Sequence, residues 1–348
     1  MIKKILIAGD GNNYFYEQAL QDAFIQIGVR EVKLFAYGEY FITTNKIQEL
    51  ICKFQNKVGI GFIVDKINEK LVELCDKMEP ELVFLYRCRL IYPKTVKIMR
   101  EKKIMIFMYN NDNPFAKYYP GYFWRHYIKS LPFCDIGFVY RQSNIEDYME
   151  SGCNRIEILR SYYIENRNYP LEIIQIKEKV PQVLFLGHYE PDGRKEYIEE
   201  LTKNGIEVGL PVLWEEKINP LNIIFLKNTA AKYNEMINAS KIALVFLSSI
   251  NQDTYTRRCF EIPATKTLMI SVYTKDLASM FEPDKEAVYF QTKAELVQKV
   301  MYYLKHDVER KMIVENAYAR LLKDGHEVKD RAKYILEKYE EISNPNIY

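Results

Sequence analysis

The sequence predicts an α/β protein built from two Rossmann-like, doubly wound domains, and three observations carry that expectation. Short apolar runs alternate with helix-periodic stretches through the N-terminal half, the pattern of a parallel sheet covered on both faces. The alternation restarts after a polar, strand-poor stretch near 165–180. At roughly 150 residues per domain, a chain of 348 residues is long enough for two cores.

The first strand is expected at 5–8, stopped by Gly9-Asp10-Gly11. A helix over 16–27 leads to a strand at 32–36, and a second helix over 63–77 ends at Glu79-Pro80, because the residue before proline avoids the helical region. Strands at 82–86, 104–109, 136–139 and 156–159 follow, with a helix at 93–102 between the first two. In the second half, strands are expected at 183–187, 206–208, 223–226, 242–247, 268–272 and 287–290, with helices at 194–203, 231–240 and 293–305. This gives a first domain over 1–170, a second over 180–327, and a terminal helix and polar tail over 328–348 that could pack on either.

Lys and Arg number 49 against 47 Asp and Glu, a net charge of +2, which argues against nucleic acid as the main partner. The 48% apolar and 28% charged residues are those of a globular protein rather than a disordered one. Tyrosine is unusually abundant, 28 residues against 2 Trp. The apolar run at 5–8 is too short for a signal h-region, and no stretch approaches the ~18 apolar residues of a membrane span. Peripheral contact with a membrane stays open. The six cysteines form no CxxC pair, so buried reduced thiols and a cytoplasmic location are expected.

Chemistry concentrates in 251–264, between two buried strands and so at the carboxyl edge of a parallel sheet, where open α/β sheets bind ligands. Thr254, Thr256, Arg257 and Arg258 supply hydroxyls and guanidinium groups suited to a phosphate or diphosphate at a helix start. Glu261 can accept two hydrogen bonds from a vicinal diol such as a ribose. The plainer reading of the same residues is a solvated helix start in which Glu261 pairs with one of the arginines.

This segment resembles the CgeB-like spore-maturation glycosyltransferases, a group of GT-B fold. The likeness lies in Asp253, Thr254, Thr256 and Arg258-Cys259-Phe260-Glu261-Ile262-Pro263-Ala264, and continues through Phe281-Glu282-Pro283, 285–290, Glu295-Leu296, 302–304 and Arg310. Backwards it reaches 183–194, and more loosely 79–83 and 109–114. Thr265-Lys266-Thr267 stands where the family often has Cys-Gly, which puts a lysine close to the presumed donor site.

The resemblance implies two domains facing across a cleft, the second holding a nucleotide-diphosphate sugar such as a UDP-sugar and the first an acceptor. Glu261 would then bind the ribose diol, and Thr254, Thr256, Arg257 and Arg258 would face the diphosphate. The charge of a departing nucleoside diphosphate can be met by arginines, hydroxyls and helix N–H groups. With no Asp-x-Asp triplet, no metal and no further cofactor is expected.

Gly187 and His188 follow the first strand of the second domain and Arg194 opens its helix, so all three are donor-site candidates beside the plain reading of a strand-to-helix turn. Trp214 could stack on a nucleobase, though a half-buried packing role is the simpler expectation. In the first domain Asp10 and Asp112 each end a strand, which makes them candidate general bases beside their ordinary use in turns. The loop at Asp10 is no dinucleotide motif, since Tyr14 stands where the third glycine belongs. His126 lies in the densest aromatic run, 115–129, and is a third candidate base. That run reads best as packing, with an acceptor platform or a lipid-facing patch as alternatives. The expected function is metal-independent transfer of a sugar to an unidentified glycan, protein or other surface acceptor. The alternative is a catalytically silent nucleotide- or sugar-binding protein of a surface or spore-coat assembly.

Overall fold

The computed structural model describes residues 2–173, 176, 179–227 and 229–344, so parts of the polar stretch near 165–180 and the tail 345–348 lie outside the described residues. The chain divides into two compact units, Met1–Arg160 with Val328–Tyr348, and Ser161–Glu327.

In chain order the first unit contains β1 (Lys4–Gly9), α1 (Ala19–Gln26), β2 (Glu31–Ala36), α2 (Lys46–Val58), α3 (Phe62–Met78) and β3 (Leu82–Tyr86). It continues with α4 (Pro93–Glu101), β4 (Met105–Asn110), α5 (Arg125–Ser130), β5 (Ile136–Val139), α6 (Ile145–Glu150) and β6 (Ile156–Ile158). The six strands are parallel in the order β2-β1-β3-β4-β5-β6, with Ile5 opposite Val32 on one side and Leu82 on the other. Every residue of β3 is buried, as a strand covered on both faces requires. One core lies between this sheet and α3, α4 and α5, through Leu6, Ile67, Leu71, Val96, Ile106 and Tyr127.

The second unit contains β7 (Val183–Leu184), α7 (Arg194–Lys203), β8 (Val208–Pro211), β9 (Ile223–Leu226), α8 (Tyr233–Ala239) and β10 (Ile242–Val245). After these come α9 (Arg258–Ala264), β11 (Leu268–Val272), α10 (Lys275–Met280), β12 (Val288–Phe290), α11 (Lys293–Lys305) and α12 (Asp307–Lys323). Its strands are also parallel, in the order β12-β11-β10-β7-β8-β9. The last helix, α13 (Val328–Ser343), returns to the first unit and packs against α1. Val328, Ala332 and Ile335 form its buried face, and Tyr334 donates to Glu157 at 2.9 Å.

Each sheet has one place where the strand order reverses: at β1 between β2 and β3, and at β7 between β8 and β10. Loops leaving neighbouring strands there diverge to opposite faces and open a crevice at the carboxyl ends, the usual ligand position of such sheets.

Candidate functional site

At the second unit's reversal point, the chain leaving β10 turns back on itself, with Asp253 N donating to Ser248 O at 2.9 Å, before entering α9. Glu261 is buried and held from two sides: Arg257 Nε lies 2.6 Å from Oε1, and Tyr233 Oη donates to Oε2 at 2.9 Å. Burial, then the Glu261 carboxylate, raises the Tyr233 pKa, which keeps the phenol a donor. Each Glu261 oxygen retains a further lone pair for a ligand hydroxyl.

Two polar atoms of this loop are buried and have no hydrogen-bond partner among the described residues, Thr256 Oγ1 and Arg258 Nε. The Arg258 guanidinium stands over the Phe185 ring, 5.6 Å from its centroid. Buried donors without partners are costly in a folded chain, so these two atoms are free to accept the oxygens of a ligand as hydrogen-bond partners. Cys259 beside them is inert, its thiol pushed up to about 11 by burial.

Other candidates are tied into the scaffold. Thr254 Oγ1 donates to Asp276 Oδ2 at 2.6 Å, and Thr274 Oγ1 donates to Thr254 O at 2.6 Å, anchoring the loop to α10. Arg194 is 2% exposed and binds Asp192 and His188 O, bracing the 188–192 loop from within. A side chain at Gly187 would meet Phe185 Cζ at 2.1 Å, so close ring packing explains the glycine. Trp214 is fully buried rather than half-buried, and its Nε1 donates to Gly187 O at 2.9 Å, which leaves no face for a nucleobase. His188 is exposed. Lys266 stands beyond the C-terminal end of α9, where β11 begins, and pairs with Glu315 at 2.7 Å. In a parallel sheet that is the edge opposite to the β10 loop, so Lys266 is not beside Thr256, Arg258 and Glu261.

At the first unit's reversal point, Asp10, Glu17, Arg87 and Asp112 gather at the carboxyl ends of β1, β3 and β4. Asp10 is partly exposed, and its Oδ1 accepts Asn12 N at 3.0 Å. Asp112 pairs with Arg87 at 2.6 Å. Glu17 is 1% exposed, and Gly9 makes room for it, since a Cβ there would lie 2.1 Å from Glu17 Oε1. Burial, with the Asp10 charge second, pushes the Glu17 carboxyl up to about 7. His126 is engaged elsewhere: its Nε2 is 2.8 Å from Gly59 O, at the end of α2, and burial lowers its pKa. The aromatic run packs inside this unit, with Trp124 and Tyr127 buried and Tyr119 stacked on Phe123 at 5.2 Å.

Glu17 and Tyr233 escape a reading of the sequence. Glu17 sits in a stretch that scans as an ordinary helix start, and nothing in the sequence shows that Gly9 lies beneath it. Tyr233 precedes Glu261 by 28 positions and meets it only through the fold. Among the described residues, no group of three or more His, Cys, Asp and Glu is placed to hold a metal ion. No helix there is long and apolar enough to cross a membrane.

Residues 194–337, from α7 into α13, match the family model of glycosyl transferase-like proteins. That region is similar to glycosyl transferase-like domains. Comparison with curated protein sequences finds no match. Among solved structures, Anabaena HepE in complex with UDP and glucose superposes with a TM-score of 0.69 at 12% identity, over 98% of this chain and 100% of HepE. Sucrose-phosphate synthase from Thermosynechococcus elongatus gives 0.68 at 12% identity, over 99% and 100%. A glycosyltransferase from Rickettsia africae gives 0.69 at 13% identity, over 98% of both chains. The fold is therefore GT-B.

Proposed function

We propose that the chain transfers a sugar from a UDP-sugar to an acceptor hydroxyl or amide without a metal ion, in the manner of the CgeB-like group whose 253–264 signature it resembles. The observation that carries this reading is the pair of buried, unpartnered donor-capable groups, Thr256 Oγ1 and Arg258 Nε, at the reversal point of the matched domain. HepE, of the same fold, was solved with UDP-glucose, which supports uridine as the nucleotide.

In this proposal Glu261, steadied by Tyr233 and Arg257, accepts the ribose hydroxyls. Arg258 and Thr256 meet the diphosphate, with Gly187 and His188 at the neighbouring loop and Arg194 and Thr254 fixing the two loops in place. As the bond from the anomeric carbon to the β-phosphate oxygen breaks, the leaving diphosphate gains charge, which the Arg258 guanidinium offsets. The acceptor heteroatom bonds to that carbon and gives up its proton. Asp10 is the favoured base, because Asp112 is committed to Arg87 and His126 to Gly59 O. The acceptor itself is a glycan, protein or other surface component.

A thermal-shift panel of UDP, GDP, dTDP, CDP and NAD tests the donor reading. Ligand at 100 times its Kd stabilises by about 2.7 kcal/mol. UDP should raise the melting temperature of the wild type, and Arg258→Ala should abolish the rise while remaining folded. No shift with any nucleoside diphosphate would end the transferase reading. UDP-glucose binding with no turnover would instead favour the silent binding protein.

A further inference from the structure

We propose that the outward face of α2 docks this protein on an anionic lipid bilayer, a role separate from the chemistry above. Ile47, Leu50, Ile51 and Phe54 recur at i, i+3, i+4 and i+7, one stripe of an α-helix. In a globular protein such a stripe faces the core. Here it faces outward, with Ile47 72%, Leu50 69% and Phe54 64% exposed, while the inward face offers only Cys52 and Gln55. Ile42 before the helix and Phe62 after it are exposed as well, at 79% and 66%.

The helix is held to its unit by polar bonds instead of apolar packing. Gln55 Oε1 accepts Ile63 N at 2.9 Å, Arg125 donates to Val58 O at 2.8 Å, and Arg89 grips Asn56. The inverted orientation is thus fixed by named contacts at three points.

Charge selects the occupant. Lys46, Lys53 and Lys57, spaced i, i+7 and i+11, line one border of the apolar stripe. Lys53 pairs with Glu49 at 2.5 Å, whereas Lys46 and Lys57 have no carboxylate partner among the described residues. Apolar side chains beside a basic row are the arrangement of helices lying in the plane of a membrane, the lysines meeting lipid phosphates and the aliphatic and phenyl groups entering the acyl boundary. A second copy of the same face would set like charges against one another.

The full-length chain is to be co-sedimented with vesicles of phosphatidylcholine containing roughly one third phosphatidylglycerol, and with pure phosphatidylcholine. Wild type should partition onto the anionic vesicles, and less so as salt rises. Leu50→Asp with Phe54→Asp should lower the partition coefficient about tenfold or more. Lys46→Glu with Lys57→Glu should do so by about tenfold on anionic vesicles only. All four side chains are solvent-exposed, so unchanged melting temperatures verify that the variants fold. Wild type left in the supernatant, equal binding to neutral vesicles, or variants that bind like wild type would each overturn the proposal. So would a wild-type dimer, seen by sedimentation velocity, that the Leu50→Asp and Phe54→Asp changes dissociate.

Discussion

Two glutamates mark the extremes of how this chain holds a buried carboxyl. Glu261 is met by a guanidinium and a phenol, so burial and charge are reconciled. Glu17 lies beside another acid, Asp10, and its Oε2 has no hydrogen-bond partner among the described residues. Its pKa rises from 4.5 to about 7, with burial the main cause. Below pH 4.5 the carboxyl is protonated whether folded or not. Between those values the unfolded chain releases the proton and the folded chain keeps it, so stability falls as pH rises. Above pH 7 the loss is complete, on the order of 3 kcal/mol. Glu17→Gln keeps the shape without titrating. Urea denaturation should find it about as stable as wild type near pH 4.5 and more stable by up to about 3 kcal/mol near pH 8. A difference that does not change with pH would show that Glu17 has an ordinary pKa in the folded state.

At the scale of elements, the strands were the most legible part of the sequence, because both faces of a parallel sheet are covered and residues such as those of β3 are apolar throughout. The helices were less so. α2 carries a clear helical stripe, but the stripe points to solvent, and a search for core-facing segments passes over it. α12 follows α11 with only His306 between them and leads into no strand, so the βα rhythm gives no cue. At the proposed donor site, the composition of 254–261 was readable, whereas the engagement of Thr254 by Asp276 and of Arg194 by Asp192 depends on side-chain directions that spacing does not encode. α13 had two sides open to it in the sequence and takes the first unit. Burial of Val328, Ala332 and Ile335 is worth about 5 kcal/mol, comparable with the whole stability of many domains. Ending the chain at Glu327 should therefore expose the α1 surface. Limited proteolysis should cut within Met1–Arg160 at least tenfold faster than in the full chain, and equal rates would mean that α13 contributes little.

For the whole molecule, the division of the chain has a consequence for binding. The second unit is an insertion within the first: it starts at Ser161, ends at Glu327, and its ends meet in a parallel bridge between Tyr163 and Glu327. Tyr163 N donates to His326 O at 3.1 Å, and Glu165 N to Glu327 Oε1 at 3.1 Å, closing the unit on itself. Its core, from Val183 through Trp214 and Phe246 to Val314, is contained in that segment. So are Gly187, His188, Tyr233, Thr256, Arg257, Arg258 and Glu261, the groups proposed to meet the nucleotide. A fragment spanning Ser161–Glu327 should accordingly fold as an independent unit with a cooperative thermal transition, and UDP should raise its melting temperature much as it does that of the full chain. Arg258→Ala in the fragment should remove the shift. If the fragment is folded by near-UV circular dichroism but indifferent to UDP while the full chain responds, the proposal that Ser161–Glu327 alone holds the nucleotide fails.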